Sequence, residues 1–259
     1  LVAIIREAAL KTSDISDPEA AGKVYRVLGT PAAGGILVVA DHASNHVPEG
    51  IDLGIPAELM NQHIAIDIGV AGVAQRMVAP GVWGWLAGIS RLVCDLNRDI
   101  GMPGMFPEVS DGYAIPGNMI GDEGRAARVA AYFDPYHTAL EQALEQAAPA
   151  LIVSLHSFTP GLATCDKPRP WEIGILYNED DRAARLAIPL LEAEGLTVGD
   201  QEPYSGRVLN ASMNRHAERH GRPYLSIEIR QDQIADAAGQ AVWAERMTRI
   251  CSAVADGLR

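Results

Sequence analysis

The chain has 259 residues, of which 48% are hydrophobic and 21% charged, a composition that excludes disordered and fibrous classes. Thirty-three acidic side chains against 21 basic ones give a formal net charge of −12, which argues against a nucleic-acid backbone or an anionic membrane as partner, because both need basic patches. Three widely separated cysteines, Cys94, Cys165 and Cys251, form no CxxC pair and no disulfide framework, which fits a reducing compartment.

The opening segment LVAIIREAALKTSD is too broken by charge for a signal peptide, and no apolar run approaches the ~18 residues of a membrane span, so a cytoplasmic setting is expected. Short apolar runs bounded by turn residues predict buried strands at Ile36–Ala40, Leu92–Cys94, Leu151–Val153, Ile173–Tyr177 and Tyr224–Ile229. Helical spacing runs from near Pro56 to Met77, from Glu123 to Ala147, and from Asp180 to Glu194 with Gly195 as its stop. It returns from Asn210 to His220, closed by Gly221, and from Gln233 to Leu258. Strands alternating with helices predict an α/β layered fold with a mixed, mostly parallel sheet, in one domain spanning residues 1–259. The Gly- and Pro-rich stretch from Gly101 to Gly121 has no periodicity and is expected to form a wall of the active site.

The residues at the carboxyl end of each strand carry the chemistry. Ile36–Ala40 leads into Asp41, His42, Asn45 and His46, and Leu92–Cys94 into Asp95, Asn97 and Arg98. Leu151–Leu155 leads into His156 and Ser157, and the Tyr224 strand carries Glu228 and Arg230 at its far end. In open α/β sheets ligands bind beyond the carboxyl ends of the strands, where such groups converge.

His42 and His156 are the natural metal ligands, since imidazole suits zinc and a catalytic zinc takes three protein ligands and leaves one position open. Asn45, three residues after His42, offers an amide oxygen as the third. Asp67, a carboxylate inside an apolar pattern, is a ligand, a partner that orients a histidine, or a helix-end polar residue. Glu228 stands between Ile227 and Ile229, so a desolvated carboxylate with a raised pKa is expected there, the property a general base needs. Arg91, Asn97 and Arg98, with Arg230, are the candidates for gripping a substrate carboxylate, because guanidinium forks bind carboxylates in pairs of bonds. His216-Ala-Glu-Arg-His220 lacks the glutamate that HExxH requires and reads as a solvated helix face. Gly29 and Gly34-Gly35 make no dinucleotide or phosphate loop.

The segments DHASNHVPEG (41–50), HIAIDIG (63–69), SRLVCDLNRD (90–99), PEVSDGYAIPGN (107–118), YFDPYHTAL (132–140), LHSFTP (155–160) and IEIRQDQI (227–234) together resemble the N-formylglutamate amidohydrolase family. That family is similar to zinc carboxypeptidases and aspartoacylases. The resemblance implies a zinc-carboxypeptidase-like (phosphorylase/hydrolase-like) fold with helices on both faces of the sheet. It implies metal-dependent hydrolysis of a small acidic N-acyl amino acid, N-formyl-L-glutamate foremost, by a monomer or small homo-oligomer. Carried over by motif, His42 and His156 would bind Zn2+ (or another divalent metal), Arg91, Asn97 and Arg98 the substrate carboxylate, and Glu228 would be the base. Asn45 stands where the wider superfamily has glutamate, so Asn45 and Asp67 both remain candidates for the third ligand. Two alternatives accompany this reading: a deacylase or carboxypeptidase for another small substrate, and a carboxylate-binding domain that has lost its metal.

Overall fold

The structure, a computed structural model, describes residues 23–259. The opening segment read for a signal peptide lies outside them. Fifteen regular elements appear among the described residues, in the order β1 (Tyr25–Leu28), β2 (Ile36–Ala40), α1 (Val70–Met77), β3 (Val82–Ala87), β4 (Val109–Ser110), β5 (Tyr113–Ala114), α2 (Asp122–Arg128), α3 (Asp134–Ala147), β6 (Leu151–Phe158), β7 (Ile173–Leu176), α4 (Arg182–Ala193), β8 (Val198–Asp200), α5 (Ala211–His216), β9 (Tyr224–Arg230) and α6 (Ala237–Gly257).

Seven strands form one sheet in the order β1-β3-β2-β6-β9-β7-β8. The four central strands β3, β2, β6 and β9 run parallel, while β1 and β7 join them antiparallel. Every residue of β2, β3, β6 and β7 is buried, which is why these strands read as unbroken apolar runs rather than as alternating ones. One face packs Val38, Val153, Leu225 and Ile227 against α1, α4 and α6, through Val73, Leu191 and Trp243. The other face packs Leu37, Val39 and Ile152 against α3 and α5, through Tyr136, Leu140 and Met213. The fold is thus the mixed, mainly parallel α/β sandwich that the sequence implied. On the β6–β9 ladder Ser154 lies opposite Ser226, and His156 opposite Glu228.

Two expectations need correction. Leu92–Cys94 is no strand; it lies in a run of turns beyond β3, a strand that the apolar-run pattern does not mark. The three residues are apolar because their loop is buried: Leu92 packs with Leu53, Ile64 and Ile115, and Val93 and Cys94 join the cluster around Trp83. The stretch from Pro56 to Met77 is helical only at a short turn, Ala57–Asn61, and again in α1. Between them Gly69 adopts φ +82°, and a Cβ there would sit 2.1 Å from the Ile234 carbonyl oxygen. A left-handed residue pressed against a neighbouring backbone ends one segment and starts the next, and it leaves Asp67 in a bend rather than on a helix. No helix among the described residues is long and apolar enough to cross a membrane.

Candidate active site

The carboxyl ends of the parallel strands β2, β6 and β9 open onto a pocket of about 280 Å³. His42 enters it two residues beyond the end of β2, while His156 and Glu228 enter from the last turns of their strands. Asp67 approaches from the bend before α1, its backbone N–H bonded to the His42 carbonyl at 3.0 Å. All four side chains lie at the carboxyl-end edge of the sheet, where ligands of open α/β sheets bind.

His42, Asp67 and His156 each offer one ligand atom, and those atoms lie within 4.8 Å of one another. Both histidines turn Nδ1 to the same oxygen, Asp67 Oδ2, at 3.4 Å from His42 and 2.8 Å from His156. Their opposite nitrogens face carboxylates. His42 Nε2 is 2.8 Å from Asp95 Oδ1, and His156 Nε2 is 3.8 Å from Asp41 Oδ2, an oxygen buried with no hydrogen-bond partner among the described residues. A carboxylate bonded to the far nitrogen, as Asp95 is to His42, is the arrangement that fixes the tautomer and orientation of a metal-binding imidazole, whereas Asp41 is too far from His156 for a hydrogen bond. Two nitrogens and one carboxylate oxygen on one wall of an open pocket are a donor set that suits zinc with a free coordination position. The residues fit a metal.

The charges are tightly balanced. Burial opposes ionisation of Asp67, but the charge of His42 and the bond from His156 outweigh it and hold the carboxyl far below its ordinary value. Burial likewise opposes protonation of His156, yet its bond to Asp67 lifts it to about 9 in the metal-free site. Arg91 lies between Asp67 Oδ1 at 3.3 Å and Asp95 Oδ2 at 2.9 Å, so its charge is committed to holding that pair. Glu228 is different. Burial dominates and pushes it up to about 7, and its Oε2 is buried without a partner among the described residues.

The sequence candidates divide accordingly. His42, His156, Glu228, Arg91, Asn97 and Arg98 all line the one pocket. Asn97 places Nδ2 at 3.5 Å from His156 Nε2, and Arg98 donates to the Asn97 carbonyl and pairs with no carboxylate among the described residues. Asn45 does not reach the cluster: it turns outward and donates to Asn61 Oδ1 at 3.0 Å, whereas Asp67 occupies the third corner. Arg230 points away from the pocket, because residues two apart on a strand share a face but β9 ends here and its side chain swings to Asp232 at 2.7 Å and to the carbonyls of Pro170 and Trp171. The stretch from Gly101 to Gly121 contributes Ser110 and Asp111 to the pocket wall.

A family profile described as N-formylglutamate amidohydrolase matches residues 34–235, a span that holds every residue just named. The chain belongs to this family. As an N-formylglutamate amidohydrolase family member it is an enzyme of the amide-hydrolysing class. Its fold is similar to that of a gene product of Agrobacterium tumefaciens, 33% identical, with a TM-score of 0.85 over 92% of this chain and 97% of that one. It is also similar to the N-formylglutamate amidohydrolase from Ralstonia eutropha JMP134, 18% identical, with a TM-score of 0.68 over 91% of this chain and 98% of that one. No curated protein sequence matches the chain.

Three further pocket residues, His63, Asp111 and Tyr204, stand at the end of no predicted strand, and none of them has a role in the sequence reading. Asp111 accepts from His63 Nε2 at 3.1 Å and from Thr164 at 2.8 Å (hydroxyl) and 3.1 Å (backbone), so one carboxylate ties three loops at the mouth. Loop residues of this kind leave no periodic pattern, although the Asp-Gly turn at 111–112, with φ +43° and +83°, is legible as a hairpin tip. The 216–220 motif is not the solvated face its spacing suggests: His216 is 2% exposed and only His220 faces outward.

Proposed function

We propose that this family member hydrolyses the amide bond of a small N-acyl amino acid, N-formyl-L-glutamate foremost, in a metal-dependent reaction. The observation that carries the reading is the convergence of both histidine Nδ1 atoms on Asp67 Oδ2 in the same pocket as the unpartnered Glu228 carboxylate.

His42, Asp67 and His156 would hold the metal, with zinc the ion their donor set suits best. Such an ion, when bound, supplies Lewis acidity and makes water a stronger acid. Arg98 and Asn97 bind the substrate's carboxylate: Arg98 carries a guanidinium with no carboxylate partner among the described residues, and Asn97 is fixed by a bond from the Ser212 N–H to its Oδ1 at 2.9 Å. Glu228 accepts a proton from water as the water oxygen adds to the acyl carbon. It then returns that proton to the nitrogen as the carbon–nitrogen bond breaks, so that the free amine and the carboxylic acid leave. Arg91 bonds to both Asp67 and Asp95 and so anchors the two carboxylates that His42 contacts.

The test is metal content of the purified protein together with formate release from N-formyl-L-glutamate, with and without chelator, for the native chain and Glu228→Gln. Near-stoichiometric metal, chelator-sensitive release and loss of turnover in a variant that still binds metal support the reading. Chelator-resistant release, or full turnover in Glu228→Gln, overturns it.

A further inference from the structure

Two consecutive residues of α3 reach the back of the site. The Tyr136 hydroxyl donates to Asp41 Oδ1 at 2.6 Å, and His137 Nε2 lies 3.0 Å from the carbonyl oxygen of Leu96, the residue before Asn97. From His137 a chain runs outward. Its Nδ1 is 2.8 Å from His216 Nε2, and His216 Nδ1 is 2.8 Å from Glu141 Oε2. Both rings are buried, neither lines the pocket, and the reaction described above uses neither.

The donors and acceptors along this chain set its proton requirement. Three links join a carbonyl, two imidazoles and a carboxylate, and each link needs one hydrogen. The carbonyl and an ionised carboxylate only accept, and two neutral imidazoles bring two hydrogens between them. The third must be an added proton. Arg222 donates to Glu141 Oε1 at 2.8 Å; although burial opposes it, this bond and that from His216 keep Glu141 ionised and below its ordinary value. At the inner end, burial and the neighbouring His216 push His137 down to about 3. The added proton therefore belongs to the outer ring. Burial outweighs the pull of Glu141 and leaves His216 below its ordinary value, so the case for a proton on its Nδ1 is the geometry: a bare ring nitrogen facing a bare carboxylate at 2.8 Å would be repulsive. The remaining charged neighbours are His220, 3.6 Å from Glu141, Arg215, paired with Asp99 at 3.0 Å, and Asp41, which acts on both rings through space.

The same helix that carries His216 also grips the substrate-binding loop. Ser212, one turn earlier on α5, donates its N–H to Asn97 Oδ1 at 2.9 Å and its hydroxyl to the Leu96 carbonyl at 3.3 Å. The Leu96 carbonyl thus receives bonds from α3 and α5 together, and the relay locks those two helices to one another.

We propose that His137, His216 and Glu141 form a buried relay, holding one proton more than two neutral imidazoles, that positions Asn97 and Arg98 to receive the substrate's carboxylate. These are positioning residues, since none touches the pocket. The inference rests on the proposed function for its effect on substrate, but its proton count stands apart from any substrate.

The experiment pairs nitrogen NMR of the imidazoles with steady-state kinetics. In the native protein near neutral pH, three of the four ring nitrogens of His137 and His216 are expected to be protonated; two protonated nitrogens overturn the proposal. Glu141→Gln supplies the missing hydrogen from its own amide, so its rings should hold two protons and its KM should stay within about twofold of native. Glu141→Ala leaves the outer link unmade, and KM for N-formyl-L-glutamate should rise about tenfold with kcat within about twofold. An unchanged KM in Glu141→Ala, or equal damage in Glu141→Gln, overturns the positioning role. If Glu141→Ala does not fold, the native proton count and the Glu141→Gln kinetics still decide. If the native chain releases no formate, the functional reading fails while the proton count still tests the relay.

Discussion

Replacing Glu228 with glutamine should stop the reaction and strengthen the fold, and the two effects have one cause. In the metal-free protein burial raises this carboxyl from its ordinary 4.5 to about 7. At about 1.4 kcal/mol per tenfold, ionising it costs about 3 kcal/mol more in the folded chain than in the unfolded one. A carboxyl raised on folding contributes stability below its unfolded pKa and loses that contribution as pH rises through the folded value. The loss therefore develops between 4.5 and about 7 and is complete above that. Glutamine never ionises and never incurs it. Metal-free Glu228→Gln should be more stable than the native chain by up to about 3 kcal/mol near pH 8, with the gap vanishing below the unfolded pKa. Turnover of the metal-loaded variant should fall by about 10²–10⁴, the usual contribution of a positioned general base. Urea unfolding of both metal-free proteins at about pH 4 and about pH 8 reads the stability, and formate release reads the turnover. A stability difference independent of pH would refute the desolvation argument, whatever happens to the rate.

Other outcomes rest on the same geometry. Arg98→Ala removes the one pocket guanidinium without a carboxylate partner among the described residues; losing a charge-assisted bond of about 2–3 kcal/mol should raise KM by about 30- to 150-fold with kcat far less affected, which steady-state kinetics would show. Asp95→Asn weakens the carboxylate that orients His42, so metal affinity measured by chelator competition should drop about 10- to 100-fold. Arg230→Ala should leave kcat/KM within about twofold of native, because its ion pair with Asp232 is partly exposed and neither residue lines the pocket; a large loss would return Arg230 to the site.

Legibility tracks burial and position. The strands β2, β6, β7 and β9 are readable because a doubly buried strand must be an apolar run, and His42, His156 and Glu228 are readable because a polar side chain at the end of such a run needs a reason to be there. The strand β3 is not readable. Its sequence Val-Trp-Gly-Trp-Leu-Ala splits between two cores, with Val82 and Leu86 on one face and Trp83 and Trp85 on the other, and the central glycine weakens any propensity signal. The third corner of the ligand set is ambiguous for a different reason. Asn45 is close to His42 in sequence and Asp67 close in space, and only the turn at Gly69 brings the latter beside the two histidines. His216 is hidden because two histidines four residues apart look like one helix face, whereas α5 ends at the buried His216 and His220 lies on a separate short turn, Glu218–His220, with its ring exposed. Nothing local reports that His137, 79 residues away, waits to receive it.

The pairing of His156 with Glu228 across β6 and β9 makes the enzyme its own reporter of folding accuracy. Side chains alternate across a strand, so a slip of one residue on this ladder would exchange the glutamate for Ile227 or Ile229 and bury a carboxylate in the opposite core. Such a chain would keep its strand and helix content and the overall signature of a folded α/β protein while losing the Glu228 carboxylate from the pocket. With metal in excess, recovery of turnover after denaturation therefore requires the correct ladder, and circular dichroism that returns without it is the signature expected of mispaired sheets.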